Sequence, residues 1–192
     1  MFTGIIEAQA HIESVGEGRI TLTRPSSFTD IRIGSSVSVA GVCLTVVELS
    51  DTHMTFDVVG ETRAKSTLGQ RTHGDAVNLE RAMQATDRFE GHMVQGHIQG
   101  VGEVRTITKD GNWTTVHIRL PKELLSTVVT KGSISIDGVS LTVASVTGDE
   151  CRIALIPQTL EYTTLGRLKA GDRVNIETDV LGRYIHSLAR AA

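Results

Sequence analysis

Short runs of β-branched and apolar residues alternate with polar ones along the whole chain, and Gly, Asp and Ser break them at close intervals. In the first half the runs fall near residues 3–12, 18–23, 36–40, 42–49, 53–59 and 75–80, and in the second near 96–107, 113–120, 133–137, 139–147, 150–156 and 173–178. Each run predicts a strand. Six short strands per half predict a small closed barrel, which leaves no free edge; a sandwich is the alternative that strand count does not separate. Helical patterns are few. Residues 62–68 and 159–165 each suit a short helix, and Pro121-Lys122-Glu123-Leu124-Leu125 has proline where a first helical turn tolerates it. Near the C-terminus Val180, Leu181, Tyr184, Ile185 and Leu188 share one helical face, with Asp179 placed to cap it. That face must pack on the barrels or on another chain, and a subunit contact is the expectation.

The two halves are copies. Residues 37–46 read VSVAGVCLTV and 134–143 read ISIDGVSLTV; 62–69 read TRAKSTLG and 159–166 TLEYTTLG; 74–80 read GDAVNLE and 171–177 GDRVNIE. All three pairs share an offset of 97 residues and together match at 15 of 25 positions, where unrelated sequences match at roughly one in fifteen. The openings, Thr3-Gly4-Ile5-Ile6 and Gln95-Gly96-His97-Ile98, align at an offset of 92, so the second copy carries extra residues, some at the turn Lys109-Asp110-Gly111-Asn112. Residues 81–93, RAMQATDRFEGHM, lie between the repeated motifs. Two copies are too few for a solenoid and predict two similar domains with similar ligand sites.

Composition narrows the function classes. Apolar residues make up 40% and charged residues 21% of 192, as in a folded globular chain, and the net charge of −3 gives no basic field for nucleic acid. No apolar run is long enough to span a membrane, and the first residues, MFTGIIE, lack the positive flank of a signal peptide. Cys43 and Cys151 make no disulfide framework. A cytoplasmic address fits, with neither membrane nor nucleic acid as partner.

Candidate chemistry sits where the copies differ inside a shared motif: Cys43 against Ser140, Ala40 against Asp137, Ile5 against His97. Cys43 either packs as a small hydrophobe or carries chemistry, and a serine at the equivalent place favours the second. Gly41 beside it suggests close approach of a ligand. Thr45 and Thr142, two residues on, share the face of Cys43 and Ser140. His92 and His97 have no further clustered donors, so no metal site is expected; His97 suits a polar or acid–base role in a pocket. Asp137 and Asp179 suit either a site or a turn and a cap. No phosphate-binding loop, dinucleotide fingerprint or nucleophile elbow is present.

Taken in order, MFTGII, GVCLTV with DGVSLTV, the paired TLG, GHMVQGHI and VNIETD resemble the riboflavin synthase family of the alpha-chain, lumazine-binding type, over almost the whole chain. The resemblance implies an all-β fold of two tandem six-stranded Greek-key barrels plus a C-terminal helix. Residues 1–88 would form one lumazine-binding barrel, 89–93 a linker, 94–178 the second barrel, and 179–192 an oligomerisation helix of a homotrimer. It implies a transferase without cofactor or metal. Two molecules of 6,7-dimethyl-8-ribityllumazine dismutate by four-carbon transfer to riboflavin and 5-amino-6-ribitylamino-pyrimidinedione, between one barrel of a subunit and the other barrel of its neighbour. Catalytic weight would fall on Phe2, Ser36, Cys43, His97, Asp137, Ser140, Thr142 and Asp179, with Phe2 suited to cover a ring face. Substrate would contact Gly4, Ile5, Ile6, Cys43, Leu44, Thr45, Asp57, Val58, Val59, Gly60, Glu61 and Thr62 in barrel one. In barrel two it would contact Gly96, His97, Ile98, Lys131, Ser140, Leu141, Thr142, Leu155, Ile156, Pro157, Gln158, Thr159 and Leu160. The family often carries Asn or Asp where this chain has Ala40. The rival readings are a non-catalytic antenna that binds lumazine or flavin on the same frame, and a flavin-binding barrel of a reductase, which would need an attached dinucleotide domain.

Overall fold

The computed structural model describes residues 1–191. The first copy forms strands β1 (Ala8–Gly16), β2 (Arg19–Thr23), β3 (Ser36–Val39), β4 (Val42–Leu49), β5 (His53–Asp57) and β6 (Ala76–Arg81). The second forms β7 (Gly100–Asp110), β8 (Trp113–Arg119), β9 (Ser133–Ile136), β10 (Val139–Thr147), β11 (Glu150–Leu155) and β12 (Arg173–Thr178). Both copies close into antiparallel barrels, in the order β1-β2-β5-β4-β3-β6 and its counterpart β7-β8-β11-β10-β9-β12. The sandwich alternative falls. The hairpin-linked trio β3-β4-β5 with β2 returning beside β5 is a Greek key. Bulges recur at matching places, between Ile12 and Ser14 and between Val104 and Thr106 in the first strands, and between Val46 and Glu48 and between Val143 and Ser145 in the fourth. They bend the strands so that so few can close.

Alternation decides what fills each barrel. Ile20 and Leu22 from β2, Met54 and Phe56 from β5, and Val37 and Val39 from β3 point inward and are fully buried, while their neighbours face out. The second barrel holds Val104, Val116, Ile118, Ile134, Ile136 and Ile153 in the same manner. Each such side chain contributes roughly 1.5–3 kcal/mol.

The helical signals resolve into paired turns. Helix α1 (Gly60–Lys65) and a 3₁₀ turn (Thr67–Gln70) connect β5 to β6, and α2 (Pro157–Tyr162) with a 3₁₀ turn (Thr164–Arg167) connects β11 to β12. Ser66 and Thr163 break each pair. Each hydroxyl donates back to a carbonyl, Thr62 or Thr159, and accepts from the N–H of Leu68 or Leu165. The stretch after Pro121 is a 3₁₀ turn (Lys122–Thr127). Helix α3 (Val180–Ala191) follows β12, and Asp179 Oδ1 caps it by accepting from Leu181 N–H at 3.0 Å. Among the described residues no helix is long and apolar enough to cross a membrane.

The barrels meet about a pseudo-twofold axis through two tight hairpins. Ala40-Gly41 and Asp137-Gly138 all take positive φ, as the two central residues of a type I′ turn do. A Cβ on Gly41 would lie 2.7 Å from the Gly138 nitrogen, so Gly41 makes room for the other barrel rather than for a ligand, which corrects the sequence-based reading. The asparagines of the repeated GDxVNxE motif bridge the seam reciprocally. Asn78 Nδ2 donates to the Asp137 carbonyl at 2.9 Å and Asn175 Nδ2 to the Ala40 carbonyl at 2.8 Å, while their side-chain oxygens accept from Thr164 N–H and Thr67 N–H.

Candidate functional site

The segments before β1 and β7 were expected to be strand. They instead leave their own barrels and lie on the other one. The glutamates of the GDxVNxE motif turn them. Glu80, at the end of β6, accepts from Thr3 N–H at 2.6 Å, the Thr3 hydroxyl at 2.8 Å and Gly4 N–H at 2.9 Å. Glu177, at the end of β12, accepts from Gln95, Gly96 and His97 N–H at 2.7, 2.9 and 3.1 Å. Burial pushes both carboxyls above the usual range, and the backbone donors pull against it. So held, the Gly4 carbonyl accepts from Ser140 N–H at 2.8 Å, and the Gly96 carbonyl accepts from Cys43 N–H at 2.8 Å. Both glycines have positive φ, and a Cβ on either would fall 2.5–2.6 Å from the Cβ of Cys43 or Ser140. Only glycine fits.

This exchange regroups the expected sites. Gly4, Ile5 and Ile6 stand with Ser140, Leu141 and Thr142 of barrel two, where Ile6 packs on the core. Gly96, His97 and Ile98 stand with Cys43, Leu44 and Thr45 of barrel one, where Ile98 packs on the core. The sequence-based grouping by copy is corrected accordingly. Identical hydrogen bonds made at an offset of 92 or 97 residues could not be assigned to one barrel or the other from sequence.

At barrel one a cavity of about 210 Å³ lies between Cys43, the α1 residues Glu61, Thr62 and Lys65, and the crossing residues His97 and Ile98. Glu61 and Lys65 pair at 2.7 Å on its rim. Cys43 is half-buried. Burial raises its thiol above the ordinary value, against the Ser36 hydroxyl bonded to it. It is therefore a thiol at neutral pH, a weak donor rather than a ready nucleophile.

At barrel two the polar group is Ser140, and its partner comes from the segment between the two copies, through Gly91 and His92. His92 Nδ1 lies 2.7 Å from Ser140 Oγ. His92 is buried, and that burial lowers its pKa, opposed by the charge of Asp179. The imidazole is neutral at pH 7. Gly91 passes between Thr3 and Ser140 where no Cβ fits.

The remaining expected residues scatter. Val59, Gly60, Glu61 and Thr62 open onto the barrel-one face through α1, and Ile156, Pro157, Gln158 and Thr159 onto the barrel-two face through α2. Thr45 and Thr142 are exposed on the outer faces of β4 and β10. Leu44, Val58 and Leu155 are core residues, and Leu141 and Leu160 pack against the core. Asp57 is held by Arg19 at 3.0 Å on the outer wall. Lys131 is exposed in a left-handed turn, its N–H on the Val143 carbonyl, like its counterpart Gly34 on Val46. Phe2 is fully buried and bridges Val94 in both directions, so its ring has no open face to offer a ligand, which corrects that expectation. Asp137 faces the seam between the barrels. It lines a cavity of about 560 Å³ between the barrels, accepts from Asn175 N–H at 2.7 Å, and faces Arg71 at 3.8 Å. Burial pushes its carboxyl up to about 6.

Sequence reasoning missed Glu80, Glu177, Asn78 and Asn175, although their identity in both copies was visible, and it weighed His92 only as a metal ligand. His92 has no counterpart in the first copy, so the repeat could not flag it.

Comparison with known proteins bears on this arrangement. The lumazine binding domain family matches the chain twice, over residues 3–82 and 95–179. The chain is 43% identical to riboflavin synthase of Actinobacillus pleuropneumoniae over 96% of this chain and 88% of that one. It is 42% identical to that of Mycobacterium bovis over the full length of both, and 39% identical to that of Bacillus subtilis over 100% of this chain and 91% of that one. Among solved structures it superposes on LumP complexed with 6,7-dimethyl-8-(1'-D-ribityl) lumazine with a TM-score of 0.84 at 28% identity, covering 93% and 99% of the two chains. The superposition on LumP complexed with riboflavin gives 0.85 at 30% identity with the same coverage.

Proposed function

This chain belongs to the riboflavin synthase family, and from that premise we propose how its duplicated site performs the family's reaction. Two molecules of 6,7-dimethyl-8-ribityllumazine dismutate. One gives up a four-carbon unit to the other, which becomes riboflavin, and the donor leaves as 5-amino-6-ribitylamino-pyrimidinedione. One observation carries the reading: the crossing segments build the same frame twice but arm it differently, Cys43 with His97 on one barrel and Ser140 with His92 on the other. Equal frames hold the same compound twice. Unequal polar groups let one copy act as donor and the other as acceptor.

The lumazine ring is electron-poor, so its C7 methyl protons are acidic and strong bases are not needed. The thiol of Cys43 and the hydroxyl of Ser140, weak donors aimed at the charge left on the ring, suit that demand. Holding two rings at reacting distance supplies the larger share, roughly 7–11 kcal/mol in well-oriented systems. The assembly we propose is a homotrimer in which barrel one of each subunit faces barrel two of its neighbour. In support, α3 leaves Leu181, Tyr184, Ile185 and Leu188 55–71% exposed as one apolar face, an area that monomers seldom leave open. Val59, Ile156 and Ile5 add exposed apolar rims beside the two sites. A cytoplasmic address accords with two free thiols, Cys43 and Cys151.

Incubation of the protein with 6,7-dimethyl-8-ribityllumazine alone tests the reading. Riboflavin, with its red-shifted absorption, is expected to accumulate as lumazine disappears two for one. Stoichiometric ligand binding without product would instead support the antenna reading. Identity of 39–43% with the synthases against 28–30% with LumP favours catalysis.

A further inference from the structure

We propose that His92 is a positioning residue whose Nδ1–H donates to Ser140 Oγ, leaving the Ser140 hydroxyl proton free to be given to the substrate. This deepens the reading above and rests on Ser140 facing a bound lumazine.

His92 is 6% exposed, and its Nδ1 lies 2.7 Å from Ser140 Oγ. Its Nε2 is buried with no partner among the described residues. Either nitrogen can carry the single proton of a neutral imidazole. If Nε2 carries it, a buried N–H is left without an acceptor, which native structures rarely tolerate. If Nδ1 carries it, the proton is used in the short bond to Ser140, and only a lone pair goes unmatched at Nε2. The second arrangement wins, against the slight preference of free histidine for the Nε2–H form. The charged group facing the ring from a neighbouring element is Asp179, which acts at a distance while its Oδ1 accepts from Leu181 N–H.

The consequence for Ser140 is directional. With its lone pair occupied by Nδ1–H, the hydroxyl cannot give its own proton to His92, so the pair is not a base. It is a fixed donor. Ser140 is half-buried, hemmed by Gly4 and Gly91 where no Cβ fits, and its proton must point out of that enclosure. A substrate oxygen or ring nitrogen that gains negative charge as the C7 methyl is deprotonated is the group such a donor recognises. At barrel one the partner of the Cys43 thiol is instead the Ser36 hydroxyl of its own barrel, which gives the two sites different donor strength.

Side-chain ¹H–¹⁵N long-range correlation spectra of the labelled protein at neutral pH, without substrate, read the tautomer directly, the His92 signals being assigned by their loss in His92→Asn. Protonated Nδ1 and bare Nε2 are expected; protonated Nε2 overturns the proposal whether or not riboflavin is formed. A kinetic arm separates positioning from mere packing, since an Asn amide can donate from the place of Nδ1. Turnover of His92→Asn should stay within about threefold of wild type, while His92→Ala and Ser140→Ala should each fall at least about tenfold. Equal losses in both variants would contradict it. Should the variants not fold, the wild-type spectrum still decides.

Discussion

Replacing Glu177 with Gln should loosen one barrel's site and spare the other's, in the direction opposite to chain proximity. Glu177 belongs to copy two, yet its carboxylate anchors three N–H groups of the segment that lies on Cys43. A carboxamide offers one oxygen: placed where Oε2 stands it still accepts, more weakly, from Gly96 and His97 N–H, while its NH2 group replaces Oε1 and sets donor against donor at Gln95 N–H. Bonds to a charged acceptor contribute about 1.5–3 kcal/mol each. Relief of the buried charge, visible in the raised carboxyl pKa, offsets part of the loss. A net local loosening of about 2 kcal/mol remains, roughly thirtyfold in the opening equilibrium. Native-state amide exchange measures it at single residues. The amides of Gly96, His97 and Cys43, the last bonded to the Gly96 carbonyl, should exchange roughly thirtyfold faster, and that of Ser140 within about twofold of wild type. Glu80→Gln should mirror this, exposing Gly4 and Ser140 and sparing Cys43. If Glu177→Gln freed Ser140 instead, or both amides alike, the exchanged architecture would be wrong.

Three further outcomes follow from the structure. Cys43→Ser should lower turnover more than lumazine affinity, read as kcat against Kd; if both stay at wild-type values, Cys43 serves packing alone. Asp137, held at about 6 by burial against an ordinary 3.8, binds its proton more tightly in the fold than in the unfolded chain. Its contribution is therefore complete below pH 3.8 and lost as pH rises through about 6, amounting to at most about 3 kcal/mol. Calorimetry should find Tm falling between about pH 4 and 6.5, and Asp137→Asn should flatten that fall; an unchanged slope would refute it. Leu181→Glu with Ile185→Glu should give a monomer in sedimentation that still binds lumazine but makes no riboflavin, whereas an intact oligomer would show that α3 is not the contact.

The fold was legible because two independent signals agreed. Alternation in Ile20-Thr21-Leu22 or Ile134-Ser135-Ile136 reports one buried face, and the 97-residue repeat reports that the same solution occurs twice. The site was legible only as a set of residues. Thr3-Gly4-Ile5-Ile6 alternates well enough to read as the start of β1, and nothing local says that Glu80, 76 residues away from Gly4, turns it onto the other barrel. Apolar periodicity cannot see such a long-range polar contact. Phe2 and Asp137 were misplaced for a related reason: a buried aromatic bridge and a buried seam carboxylate use the residue types that ligand sites use. Asp179, by contrast, caps α3 as its position before an apolar helix suggested.

The proposed sharing of each reacting pair of lumazines between two subunits is tested most directly by mixing. An inactive variant at Cys43 and an inactive variant at Ser140 are each assembled alone, then dissociated together and reassembled at equal ratio. Each hybrid trimer pairs an intact barrel two from the first with an intact barrel one from the second at one interface in three, which is about a quarter of all interfaces in the mixture. Riboflavin formation is predicted to return to about a quarter of the wild-type rate. A mixture as inactive as its two parents would contradict the account.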